Sequence, residues 1–391
     1  MAVFTGLDRI KKDFPKRFKK AKVGIVVHPA SVDRYLEHAK DIFLRLDYLE
    51  IKAIFGPQHG IYGQTQDNMI EWEGFVDRKT GISVYSLYGK TRKPTPEMLE
   101  DIDILVIDLQ DIGSRYYTFI WTLDLCMEAC YESGRAVVVL DRPNPIGGHI
   151  IEGTVLNQEF SSFVGRKPLP VRHGMTIGEI ANYFKGEYYP TLDLYIVKMK
   201  GWKRSMWFDK TGLPWVLPSP NIPDLISAKV YPGMCLLEAT NISEGRGTTL
   251  PFQVFGAPFI DPDELVKYLD GFGLEGLHFR PMYFQPTFHK FAGELCGGAQ
   301  IHILDSERFK PFKTGVAVLK AIYDLYGDKF LWKKPPYEYE EEKMPIDILS
   351  GSDRLRSLIE SGNDLSFMED WWIEECNEFD KRYRRKYLLY C

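Results

Sequence analysis

Two stretches decide the fold: Ile104-Leu105-Val106-Ile107-Asp108-Leu109-Gln110-Asp111 and Val137-Val138-Val139-Leu140-Asp141-Arg142-Pro143-Asn144-Pro145. Each is an unbroken apolar run that ends abruptly in charge. A strand with no polar face is buried on both sides, as in a parallel sheet covered by helices above and below. Working outward, Val23 to Val27, Ile51 to Phe55, Val84 to Leu87 and Leu192 to Met199 read as further strands. Between them lie helical patterns over Tyr35 to Leu46, Thr95 to Leu99 and Thr118 to Ser133. Another helix opens at Thr176, where Glu179 three residues on completes a capping box. Strand and helix in strict alternation predict an α/β fold, a Rossmann-like, doubly wound, mostly parallel sheet.

The rhythm changes between Pro214 and Pro258, a segment dense in Pro, Gly, Ser, Asn and Thr. A boundary near Ile226 to Ala228 is expected, giving a Rossmann-like catalytic domain over 1–227 and a smaller α+β domain over 228–391 that contributes to the cleft. In the second part Asp261-Pro262 opens a helix, and strands are expected around Phe279 to Phe284 and Ala299 to Leu304. Met368 to Tyr390 reads as a terminal helix docking an aromatic face on the body.

Composition narrows the function. Across 391 residues, 49 Lys and Arg stand against 54 Asp and Glu, so there is no global footprint for a nucleic acid. Six cysteines without a Cys-x-x-Cys pair argue against both a zinc site and a disulfide framework. No run approaches the ~18 apolar residues of a membrane helix, and the lysine-rich stretch Met1 to Lys22 lacks a signal-peptide core, so a cytoplasmic protein is expected. The eight histidines form no His-x-His or His-x-x-x-His pair. No Gly-x-Gly-x-x-Gly follows the first strand, and Walker and Gly-x-Ser-x-Gly motifs are lacking. Neither metal nor nucleotide cofactor is expected.

Ligands of open α/β sheets bind beyond the carboxyl ends of the strands. Three exits are unusually polar: Gly56-Pro57-Gln58-His59-Gly60, Asp108 to Thr118, and Asp141 to Pro145. Their Asp–Arg combinations suit a structural brace as well as a catalytic device, and lone histidines such as His59 and His173 suit a hydrogen-bonded scaffold as well as acid/base work. Two later segments, Pro218 to Pro223 and Leu237 to Thr249, are polar without helix or strand periodicity. Carboxylates, amides, arginines and aromatics around a cleft fit sugar recognition and glycoside hydrolysis, where two carboxyl groups flank the scissile bond.

At these segments the chain resembles the bacterial exo-β-N-acetylmuramidase family. The resemblance rests on Asp108-Leu-Gln-Asp-Ile-Gly-Ser-Arg-Tyr-Tyr-Thr118, Leu140-Asp-Arg-Pro-Asn-Pro-Ile-Gly-Gly148, Arg172-His-Gly-Met-Thr-Ile-Gly-Glu179, Trp215-Val-Leu-Pro-Ser-Pro-Asn221, Glu238-Ala-Thr-Asn-Ile-Ser-Glu-Gly-Arg-Gly-Thr-Thr249 and Gly256-Ala-Pro258. It implies a Rossmann-like domain with the active site, an auxiliary C-terminal domain, and cofactor-free release of terminal N-acetylmuramic acid from the non-reducing end of peptidoglycan fragments. Many family members read Pro-Glu-His-Gly where this chain has Pro57-Gln58-His59-Gly60, an amide in place of a candidate carboxylate. The acid is then expected among Glu71, Asp108 and Glu244, with His59 as a further acid/base candidate and Gln58 as a group that orients the substrate's acetamide. Gln110, Asp111, Tyr117, Asp141, Asn144, His173, Asn221 and Asn241 are expected to bind sugar. Arg115, Arg142 or Arg246 would pair with the lactyl carboxylate. A noncatalytic sugar-binding protein, or a hydrolase of another N-acetylated or carboxylated glycoside, is the alternative.

Overall fold

The computed structural model describes residues 2–66 and 69–391, so Met1, Asp67 and Asn68 lie outside the description. Strands in chain order are β1 (Lys22–Val27), β2 (Glu50–Gly56), β3 (Phe75–Val76), β4 (Ser83–Ser86), β5 (Ile104–Asp108), β6 (Ala136–Leu140), β7 (Glu152–Val155), β8 (Pro170–Arg172), β9 (Leu194–Val197), β10 (Val254–Ala257), β11 (Leu277–Phe284) and β12 (Cys296–Ile303). Seven form one sheet in the order β3-β4-β2-β1-β5-β6-β9, parallel except for the short antiparallel edge β3. Strand order reverses between β1 and β5, where Val27 lies beside Asp108. That switch point is where such sheets open a crevice.

The two stretches quoted at the outset are the middle of this sheet. Every residue of β5 and β6 is buried. Residues Phe119–Ser133 form a long helix closed by Gly134 in the left-handed region. The helix Ile177–Glu187 carries the expected capping box, with the Thr176 side chain accepting from the Glu179 amide and Glu179 accepting from the Thr176 amide. The helix expected over Tyr35 to Leu46 is shorter, Ala39–Leu44; residues 28–38 instead form turns held by bonds such as Ala39 N–H to the Ser31 carbonyl.

The expected division at 227/228 falls within the helix Leu225–Met234. Beyond it β10, β12 and β11 form a small antiparallel sheet. Asp261 caps the helix Pro262–Asp270 through the amides of Asp263 and Glu264. The helices Leu225–Met234 and Pro311–Tyr326 cross in near backbone contact at Gly233 and Gly315; a Cβ on Gly233 would stand 1.8 Å from the Pro311 carbonyl oxygen.

The chain then returns to its first half. Helix Leu365–Phe379 buries Trp371, Trp372 and Phe379, with Phe379, Tyr383 and Tyr387 packed around Tyr183. The Tyr390 hydroxyl donates to Asp141 at the end of β6. One continuous core therefore joins the large sheet to the C-terminal helices. None of the described helices is long and apolar enough to cross a membrane.

Candidate active site

Beyond the carboxyl edge of the sheet lies a narrow, partly closed cavity whose walls come from both halves of the chain. The first half contributes Gln58 and His59 after β2, Tyr116, Tyr117 and Thr118 before the long helix, and Ser219 and Asn221. From the second half come Tyr231, Cys235, Glu238, Arg246, Phe252, Tyr337 and Glu338. Gln58 and His59 are held by their loop: the Thr118 hydroxyl donates to Gln58 Oε1 at 2.8 Å, and His59 Nδ1 is 2.7 Å from the Thr65 carbonyl. Trp72 donates its indole N–H to the Pro57 carbonyl at 3.0 Å. His59 sits at φ 68°, a left-handed conformation costly for a side chain with a Cβ and concentrated at functional sites.

Among the described residues two carboxyl groups line the cavity, in contrasting surroundings. Glu238 accepts from Arg246 Nη1 at 2.7 Å and from the Tyr337 hydroxyl at 2.8 Å. Glu338 accepts from the Tyr88 hydroxyl at 3.2 Å, and among the described residues no Lys, Arg or His lies within ion-pair distance of it. Burial, reinforced by the nearby Glu238 charge, raises the Glu338 carboxyl to about 7. Glu338 and Tyr339 are consecutive non-glycine residues at φ 46° and 68°. Arg92 stacks 3.3 Å over the Tyr339 ring, which pins the turn from outside.

Of the residues expected from the sequence, Gln58, His59, Tyr117, Asn221 and Arg246 meet in this cavity. Asn221 donates to the Gln66 carbonyl at 2.7 Å, and burial pushes the Tyr117 hydroxyl far up. Gln110 and Arg142 line a smaller neighbouring cleft with Ala30, Val32, Asp33 and Trp215, so the three polar strand exits feed two openings. The linchpin between them is His28, which no motif flagged. Its Nε2 accepts from the Gln110 amide at 2.9 Å, and its Nδ1 is 3.3 Å from the Pro218 carbonyl.

Other expected residues brace the scaffold. Asp108 is almost fully buried in a two-pronged pair with Arg142 at 2.6 and 2.7 Å. Asp141 accepts from the Gly178 amide, the Thr176 hydroxyl and the Tyr390 hydroxyl, anchoring a helix N-terminus and the chain's last turn, while burial raises it to about 7. Asp111 joins the Gly113 amide and His173. Asn144 accepts from the Ile146 amide and donates to the Met175 carbonyl. Asn241 clamps Lys329 and Leu331. Arg115 is fully buried and donates from its two terminal nitrogens to the Thr154, Leu169 and Leu349 carbonyls, and burial lowers it to about 10.

None of the three carboxyls expected to include the acid lines the cavity of Gln58 and His59. Glu71 is half exposed, pairs with Arg92 at 3.1 Å and faces a separate outer groove with Lys90 and Thr91. Asp108 is committed to Arg142. Glu244 is buried among Arg246, Lys290 and His289; burial alone would raise its carboxyl, but Lys290 and Arg246 beside it bring it well below the usual range. A group so held gives up no proton near neutrality.

The comparisons agree with this architecture. The N-terminal model of the exo-beta-N-acetylmuramidase NamZ family matches residues 23–226, and the C-terminal model matches residues 229–390. The peptidoglycan beta-N-acetylmuramidase NamZ of Bacillus subtilis (strain 168) is 46% identical over 388 residues, 99% of this chain and 91% of that protein. A crystal structure of a DUF1343 family protein from Bacteroides fragilis NCTC 9343 superposes with a TM-score of 0.88 at 37% identity, covering 100% of this chain and 99% of that one. A second DUF1343 family protein from the same organism gives 0.78 at 29% identity, with coverage of 100% and 99%. Fold, motifs and full-length similarity thus converge, and the chain belongs to the exo-beta-N-acetylmuramidase NamZ family.

Proposed function

We propose that the cavity shared by the two halves is where this chain hydrolyses the terminal N-acetylmuramic acid linkage at the non-reducing end of peptidoglycan-derived saccharides. The observation that carries the reading is the meeting of Gln58 and His59 with two carboxyl groups of unlike surroundings, Glu238 and Glu338, in one partly closed space. Two titratable groups in contrasting environments are the arrangement from which acid and base roles arise. A small cavity suits removal of one end residue. The adjoining open groove, walled by Gly247 to Leu250 and Met282 to Gln285, offers room for the remainder of the fragment, with Gln66 linking the two through its bond to Asn221.

Arg246 is the candidate partner for the lactyl carboxylate. Of the three expected arginines it alone lines this cavity, and its Nε–H is buried without a partner among the described residues. The amide of Gln58, fixed by Thr118, is placed to hydrogen-bond the acetamido group, as an amide can do without changing charge. The test is chromatographic detection of free N-acetylmuramic acid from a β-linked N-acetylmuramic acid–N-acetylglucosamine disaccharide. Release is expected from this disaccharide and not from one with N-acetylglucosamine at its non-reducing end. Saccharide bound but not cleaved would favour the sugar-binding alternative.

A further inference from the structure

We infer that Glu338 is the catalytic acid of this chain, delivering its proton to the glycosidic oxygen from the second half of the molecule while position 58 holds an amide. The inference rests on the reaction proposed above and adds the residue that drives it.

Gln58 has no proton to give. Glu71 faces the outer groove, Asp108 is locked to Arg142, and Glu244 is paired with both Arg246 and Lys290. Among the described residues, the carboxyls that line the cavity are Glu238 and Glu338. Glu238 is engaged by Arg246 at 2.7 Å and by the Tyr337 hydroxyl at 2.8 Å. Glu338 accepts from the Tyr88 hydroxyl but, among the described residues, has no ion-pair partner; Arg246 and Arg92 act on it only from farther off, against the larger effect of burial, and its backbone is held with Tyr339 in a left-handed turn that side chains avoid. A turn strained at two successive residues, and clamped by Arg92 over Tyr339, presents to the cavity a carboxyl with no ion-pair partner among the described residues. Its raised value near 7 is what a donor working near neutrality needs.

In the step, the Glu338 proton moves to the glycosidic oxygen as the C1–O bond breaks and the bonding pair leaves with that oxygen. The aglycone departs as a neutral alcohol, leaving Glu338 as carboxylate and a positive charge shared by C1 and the ring oxygen. Water entering the vacated space bonds to C1 and passes its proton to Glu338. Atoms and charge balance, and the acid is restored.

The experiment compares wild type with Glu338→Gln on two substrates: the natural disaccharide, whose sugar leaving group needs a proton, and 4-nitrophenyl N-acetyl-β-muramide, whose phenolate does not. Expected for the variant is a fall in kcat/KM of about 10²–10⁴-fold on the disaccharide and a much smaller fall on the aryl glycoside. Wild-type kcat/KM on the disaccharide should also decline as pH rises through about 7, a readout that does not depend on the variant folding. An equal loss on both substrates, a variant as active as wild type on the disaccharide, or a wild-type profile flat from pH 5.5 to 8.5 overturns the assignment while leaving the muramidase reading in place. A wild type that cleaves neither substrate overturns both.

Discussion

At the scale of single residues, the chain separates charges that do chemistry from charges that hold shape. The Asp108–Arg142 pair belongs to the second kind. Removing one member leaves the other buried and uncompensated, so Asp108→Asn is expected to cost about 3–5 kcal/mol in chemical denaturation. Glu338 belongs to the first kind, and its linkage has a definite sign. A carboxyl raised on folding favours the protonated form, so its stability contribution is lost as pH rises from the unfolded value near 4.5 to about 7. Wild type should therefore lose up to about 3 kcal/mol relative to Glu338→Gln between pH 4.5 and 8, read as a pH-dependent difference in denaturation free energy. Residue type and spacing made part of this site legible. Gln58, His59, Tyr117, Asn221 and Arg246 announced themselves because each follows a strand or sits in an aperiodic polar segment. Glu338 did not: with Glu340, Glu341 and Glu342 it reads as a solvated acidic run. Its burial depends on Tyr88, 250 residues earlier, which no local pattern reveals. The signal available was its setting between Tyr337 and Tyr339, after two prolines.

At the scale of elements, unbroken apolar strands and capping residues were readable because they are local. β5 and β6 needed only their own composition, and the helix at Thr176 needed only four residues. Helix crossings are harder, since a glycine in a helix can be an accident or a contact point. Gly233 is a contact point: its helix meets the Pro311–Tyr326 helix where a methyl group has no room. The same helix carries Tyr231 and leads directly into Cys235 and Glu238 of the cavity wall. Gly233→Ala should therefore lower thermal stability by the equivalent of at least about 1–3 kcal/mol and reduce saccharide turnover in the same variant. Thr176→Ala is a smaller test. It removes a helix cap and a donor to Asp141, with an expected cost of about 1–2 kcal/mol and little change in turnover per folded molecule.

At the scale of the whole molecule, composition shift suggested two parts, yet the contacts run across that division at several depths. Arg115 of the first half is satisfied in part by the Leu349 carbonyl, and Asp141 by Tyr390. The terminal helix docks through its aromatic face, as its Trp and Tyr residues suggested. Calorimetry is expected to show one cooperative transition rather than two, because neither half can satisfy its buried polar groups alone. Tyr390→Phe should lower that transition slightly by withdrawing one donor from a buried carboxyl. These cross-contacts were beyond a sequence reading, since they join segments more than 200 residues apart.

The placement of the cavity walls also bears on how the protein comes into being. A ribosome that has finished β6 has already issued every strand exit that holds Gln58, His59 and Tyr117, but the carboxyl at 338 is still unmade. The growing chain holds the residues of the first wall long before the contacts that complete their fold, and it is chemically silent until then. Cleaving power arrives only with the last stretch of synthesis, so a truncated or stalled copy has half a mouth and no bite.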